Sequence, residues 1–211
     1  MMDYRVIGNS QAKICLIEPI GEWDNPESLY REIAALCPEK EFFLVPVRVN
    51  CWNGDLSPWV APPVFGKDGF GCGAADTLSY IENIVFADIP ARDKHVILGG
   101  YSLAGLFSLW AVANSDEFSA CAAASPSVWF PGWIEYASSH PPKTEAVYLS
   151  LGDKEEHTRN QTMARVGDCI RMQDALLSGI QHTLVWNEGN HFRDAVLRMA
   201  KGFAWCMNRV G

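Results

Sequence analysis

Apolar and polar positions along the chain follow two alternating periods. The run KICLIEPI (13–20) is short and almost wholly apolar, the pattern of a buried strand. After it, Asn25 stands as a helix N-cap, Pro26 takes the first helical position, and Leu29, Ile33 and Leu36 form a stripe that stops at Pro38. EFFLVPVRVN (41–50) predicts a second strand, in which Pro46 costs a ladder bond unless it faces an edge or a bulge. A stretch rich in Gly, Pro and aromatic residues covers about residues 51–73, and a loop of that length inside a compact domain usually serves a function. Leu78, Ile81, Ile84 and Val85 then predict a helix from Ala74 to Ala87. HVILGG (95–100) reads as a buried strand and LAGLFSLWAVAN (103–114) as a helix rich in small residues. FSACAAAS (118–125), AVYLSLG (146–152) and HTLVW (182–186) are three more strands. Met163, Val166, Ile170 and Leu177 predict a helix over 159–178, and Phe192, Val196, Met199, Phe203 and Met207 a last one over about 192–208. Strand and helix alternating in this way predict a three-layer α/β/α sandwich, a mainly parallel sheet with helices on both faces. No repeat, charge run or linker interrupts it, so residues 1–211 read as a single domain.

Composition narrows the functional classes. With 48% apolar and 20% charged residues the chain has the make-up of a folded soluble protein. Its 25 acidic against 17 basic residues give a net charge of −8, which repels phosphate backbones and anionic lipid and argues against a nucleic-acid partner. No stretch approaches the roughly 18 apolar residues of a membrane span, and MMDYRVIGNS lacks the apolar core of a signal peptide. The seven Cys include no C-x-x-C pair and read as buried free thiols of a reducing cytoplasm. Asp153, Glu155 and His157 make a D-x-E-x-H string, but without a further ligand set no metal site is expected, and no cofactor.

The strongest chemical signal is HVILGGYSLAGLFSLWA (95–111). A short apolar strand runs through Gly100-Tyr101-Ser102-Leu103-Ala104-Gly105 directly into a helix, the context in which a nucleophilic serine sits on a sharp, strained turn. Such a turn needs small residues two before and two after the serine. Gly100 meets the need, whereas Ala104 breaks the strict G-x-S-x-G pattern and Gly105 comes one residue late. A bland alternative is a tight turn whose Ser102 merely caps the helix. A serine hydroxyl requires a base. Among five His, His191 stands out because VWNEGNHFRD places it in a Gly-containing loop after the last strand, outside the carboxyl end of the sheet. The base in turn requires a carboxylate. LSLGDKEEHTRN offers Asp153, Glu155 and Glu156 between Ser102 and His191; Glu155, three residues after the strand-ending Gly, is preferred, with Asp153 as the alternative. The backbone N–H of Leu103 and a second from Ile20 or Gly21, after the first core strand, are candidates for an oxyanion hole.

These residues resemble the α/β-hydrolase superfamily, and within it the esterases of the siderophore (enterochelin) esterase-like branch and the S-formylglutathione hydrolase relatives. GGYSLAGLF is similar to their elbow, AAASPSVWF (122–130) to their S-P-S-x-W segment, LGDKEE to their acid loop and GNHF to their histidine loop, a likeness that covers about residues 13–205. The resemblance implies a compact α/β-hydrolase fold with no room for a lid domain. It also implies a serine hydrolase that cleaves a small carboxylic ester through Ser102, His191 and Glu155, although some members rely on a Ser–His pair. A thioesterase or acyltransferase, or an inactive hydrolase-fold protein that binds a ligand or partner, are the alternatives. Eight Trp are many for such a chain, and Trp23, Trp52, Trp59, Trp129 and Trp133 all fall in regions read as loops after strands. With Tyr101 they are expected to wall an aromatic cleft around Ser102.

Overall fold

The structure is a computed structural model and describes residues 2–64, 66–89 and 93–210. Two short edge strands, β1 (Asp3–Tyr4) and β2 (Ile7–Gly8), precede the first core strand, β3 (Ile14–Ile20). Helix α1 (Pro26–Leu36) starts as its sequence dictates, with the Asn25 side chain accepting from Ser28 N–H and Pro26 in the first turn. Strand β4 (Phe42–Arg48) follows, then the one-turn α2 (Trp52–Asp55) and α3 (Ala74–Tyr80). The stripe predicted from Ala74 to Ala87 is continuous but not uniform: α3 widens into a π-helical turn (Ile81–Val85) before α4 (Phe86–Asp88). Next come β5 (His95–Tyr101), α5 (Leu103–Asn114), β6 (Ala120–Ala124), α6 (Trp133–Ser139) and β7 (Ala146–Gly152). The helix predicted over 159–178 is two, α7 (Gln161–Ala164) and α8 (Val166–Leu176); Asn160 caps the first through Thr162 and Met163 N–H. Strand β8 (Gln181–Asn187) and α9 (Ala195–Met207) complete the order.

The strands form one sheet in the order β1-β4-β3-β5-β6-β7-β8, with β2 also on β4. The core pairs from β4 to β8 are parallel, and only β1 and β2 run antiparallel. Alternation along β3 assigns the faces. Cys15 and Ile17 join α5 residues such as Leu106 and Phe107, while Ile14 and Leu16 join Leu29 and Ile33 of α1 and Phe203 of α9. The sheet thus lies between α1 with α9 on one side and α3, α5 and α8 on the other. Pro46 is accommodated by register. Val49 N–H donates to Ile20 O, so odd residues of β4 face β3 and Pro46 faces the opposite edge. There β1 pairs with Val47 and Arg48 and β2 with Phe43 and Leu44, and Pro46 falls in the gap between them.

Among the described residues no helix is long and apolar enough to cross a membrane. All seven thiols are free, but Cys51 and Cys72 are exposed, against the expectation of uniform burial, because both lie in the long loop between β4 and α3. The tightest packing is at the turn from β5 to α5. A Cβ on Gly100 would meet the backbone of Ala104 at 2.5 Å. Gly100→Ala is expected to destabilise the protein by about 1–3 kcal/mol through overpacking, read as a lower midpoint in urea denaturation.

Candidate active site

Ser102 joins β5 to α5 with φ 58° and ψ −119°, a left-handed backbone that a serine adopts only under constraint. Three hydrogen bonds hold it there: its N–H donates to Ala124 O, and its carbonyl accepts from Leu106 N–H and from Ser127 N–H. The departure from G-x-S-x-G is explained at the same turn. The Ala104 methyl fits because Gly100 has no Cβ, and Gly105 packs closely on Gly100 O and Pro126.

His191, on the loop between β8 and α9, places Nε2 3.0 Å from Ser102 Oγ and Nδ1 2.7 Å from Glu155 Oε2. Glu155 is the carboxylate at the imidazole. Asp153, the alternative, instead accepts from Gly189 N–H at 2.7 Å and ties the acid loop to the histidine loop. Glu156 turns away to Arg171. The other oxygen of Glu155, Oε1, accepts from Gly152 N–H (2.7 Å), the Ser125 hydroxyl (2.7 Å) and Arg198 Nη1 (3.0 Å). Gly152 must be glycine, since a Cβ there would sit 2.3 Å from Gly189 O. Burial pushes the Glu155 carboxyl up. The His191 hydrogen bond and charge, with the Ser125 hydroxyl and Gly152 N–H, outweigh it and hold the carboxyl below its ordinary value.

Several of these partners were not foreseen. Ser125 and Ser127 belong to the S-P-S segment noted for its likeness, but their contacts depend on the positive φ of Ser125 (44°). That turn sends one hydroxyl to Glu155 and leaves the other 3.4 Å from Ser102 Oγ. Arg198 is buried on α9, where it also donates to Tyr101 Oη and Glu188 O. Its signal was a cation adjacent to Met199 of the apolar stripe, although Lys201 on the same helix carries the same charge and is exposed.

Two hollows meet at Ser102 and His191. The first, about 380 Å³, is lined by Trp52, Phe70, Leu103, Trp129, Met163 and Val166. The second, about 690 Å³, runs past Trp23, Trp52, Tyr101 and Phe192 toward Glu18, Asp24 and Asp68. Asn53 lines both. Trp23, Trp52, Trp129 and Tyr101 are therefore at the cleft as expected, although the Tyr101 hydroxyl is spent on His191 O at 2.7 Å. Trp59 is not at the cleft: its indole donates to Pro131 O and its ring packs on Phe130 and Tyr136. Trp133 is likewise a core residue, donating to Gln173 Oε1 from a fully buried position on α6. The oxyanion assignment to Ile20 or Gly21 also fails. Ile20 is still inside the β3–β4 ladder, paired with Arg48 and lining a separate surface hollow, and Gly21 N–H donates to Asp24 at 2.7 Å. Leu103, at the first turn of α5, does line the first hollow.

A carboxyl held below its unfolded value contributes stability that is present above the unfolded pKa, near 4.5, and lost as pH falls through the folded one. The stability difference between wild type and Glu155→Gln is therefore expected to shrink as pH is lowered from 7 to below 4.5, measured by urea denaturation across that range.

No family model matches the chain, and a search of curated proteins finds no match. Solved structures do match. An IroE-like serine hydrolase from Shewanella oneidensis superposes with a TM-score of 0.79 at 17% identity, covering 97% of this chain and 75% of that one. The siderophore hydrolase EstA from Aspergillus nidulans gives 0.69 at 17% identity over 100% and 95%. An S-formylglutathione hydrolase from Agrobacterium tumefaciens gives 0.63 at 13% identity over 100% and 90%. With this strand order, these layers and these superpositions, the chain has the α/β-hydrolase fold.

Proposed function

We propose that the chain is a serine hydrolase of carboxylic esters, working through an acyl-enzyme in a reducing cytoplasm. The observation that carries this reading is the run of contacts from Ser102 Oγ through His191 to Glu155, at 3.0 and 2.7 Å, on a strained strand-to-helix turn. Solved structures of the same fold that are described as serine, siderophore and S-formylglutathione hydrolases support the reaction class.

In this reading His191 donates its Nδ1–H to Glu155, which leaves the Nε2 lone pair facing Ser102. Nε2 takes the hydroxyl proton as Oγ attacks the ester carbonyl carbon. The resulting tetrahedral oxyanion meets the Leu103 N–H, in the first turn of α5, where helix geometry leaves an N–H without an intrahelical partner. Asn53, a residue that lines both hollows and whose side chain makes no hydrogen bond among the described residues, is the candidate for the second donor. The imidazolium then protonates the alkoxide oxygen as the C–O bond breaks, and the alcohol leaves. Water, deprotonated by the same nitrogen, attacks the acyl-enzyme, and the acid departs as Ser102 regains its proton.

Ser102→Ala is expected to keep the wild-type melting temperature while ester hydrolysis falls by roughly 10³-fold or more. A fluorophosphonate should label wild type and not the variant. Retained hydrolysis in the variant, or no labelling of wild type, would overturn the proposal and favour an inactive, binding protein. Asn53→Ala is expected to lower kcat by about 10²-fold with a smaller change in KM; an unchanged kcat would remove Asn53 from this role.

A further inference from the structure

The second hollow contains a group that the proposed chemistry does not use. Glu18 is 9% exposed, lies near the end of β3 and lines this hollow, yet it makes no hydrogen bond or ion pair among the described residues. A carboxylate taken from water without a partner is costly, and native proteins rarely leave one so. Asp24 stands beside it, already accepting from Gly21 N–H, and Asp68 lines the same space. Burial, then the nearby Asp24 carboxylate, push the Glu18 carboxyl well above the ordinary carboxylate range, the mark of an acid that lacks a countercharge.

The rest of the lining has the complementary character. Among the described residues no Lys or Arg lines the hollow. Arg48 attracts Asp24 from the β4 side and donates to Gly21 O. Glu18 and Asp24 also border a smaller hollow of about 80 Å³, lined by Pro26 and Ala195 in the first turns of α1 and α9. Three aromatic rings border the larger hollow. Trp23 is 69% exposed and meets Trp52 edge to face at 5.2 Å, and Phe192, 86% exposed, lies across from them on the histidine loop. Carboxylates behind exposed aromatic faces form the environment that attracts an organic cation. A bare metal ion fits less well, because among the described residues no three Asp, Glu, His or Cys converge as ligands.

We propose that the second hollow is a subsite for an organic cation, an ammonium group carried on one arm of the ester and received by Glu18 and Asp24 beside the paired rings of Trp23 and Trp52. The other arm then occupies the apolar hollow of Phe70, Trp129, Met163 and Val166, and the scissile carbonyl lies at Ser102, where the two hollows meet. This subsite deepens the esterase reading and rests on it for turnover, but not for binding.

The test compares esters that differ only in charge. Choline butyrate is paired with 3,3-dimethylbutyl butyrate, placing the cation on the alcohol arm. Butyl 4-(trimethylammonio)butanoate is paired with butyl 5,5-dimethylhexanoate, placing it on the acyl arm. In one pair the cationic ester is expected to have a kcat/KM at least about 10-fold higher than its neutral partner, through a lower KM. That ratio should collapse in Glu18→Gln and fall in Trp23→Leu, a surface change that keeps the test intact if the Glu18 variant folds poorly. Ratios near one in both pairs, or a preference that survives both variants, would overturn the proposal. Choline binding, measured by calorimetry on wild type, Glu18→Gln and Ser102→Ala, separates the two readings. Glu18-dependent binding without turnover of any ester leaves the subsite standing and sinks the esterase, whereas turnover of the neutral esters without choline binding does the reverse.

Discussion

One buried charge pair organises this molecule. The Glu155 carboxylate sits out of water beneath the sheet's carboxyl edge, and such a group persists only if its lone pairs and its charge are answered on the spot. The answers come from distant parts of the chain: Gly152 at the end of β7, Ser125 after β6, His191 after β8 and Arg198 on α9. A buried pair that loses one member typically costs roughly 3–5 kcal/mol, because the survivor is left uncompensated. The loops after β6, β7 and β8 are thereby tied together at the site by one buried carboxylate. The strained Ser102 backbone persists for the same reason, its peptide groups being pinned between Ala124, Leu106 and Ser127.

Local signals in the sequence were legible, and those set by long-range register were not. The order of core elements followed from periodicity. The elbow followed from a strand, small residues and a helix in immediate succession. Ser102, His191 and Glu155 could be chosen because each lies at a strand end whose direction the parallel sheet fixes. The choice between Glu155 and Asp153 could only be a preference, since both follow β7 and what separates them is a hydrogen bond to Gly189 from a different loop. Ile20 was assigned to the oxyanion hole as the residue at which the chain leaves the first core strand, yet its pairing with Arg48 keeps its backbone in the ladder with β4. Strands β1 and β2, two residues each, carry too short a pattern to register as strands at all. Trp59 and Trp133 show a similar limit. Their position after a strand was readable, but the carbonyl of Pro131 and the amide of Gln173 that draw their indoles away from the cleft were not.

The two hollows divide the surroundings of Ser102 by chemistry. On one side Phe70, Trp129, Met163 and Val166 offer surface that favours groups leaving water; on the other, Glu18, Asp24 and Asp68 offer charge in a setting of exposed rings. Trp52 and Phe192 border both. The same short loops therefore supply the boundary between an apolar and an acidic environment within reach of one nucleophile.

Arg198 also bears on how the chain reaches its native state. Helix α9 follows every strand in the sequence, so the sheet can pair before the guanidinium that balances Glu155 has docked. Until then the partly assembled sheet carries an unanswered charge at the edge where its loops converge. A sheet completed without α9 lacks the guanidinium that balances its buried carboxylate, so the docked helix and the finished site stabilise one another. Placing that arginine on α9 couples the docking of this helix to the loop that carries Glu155.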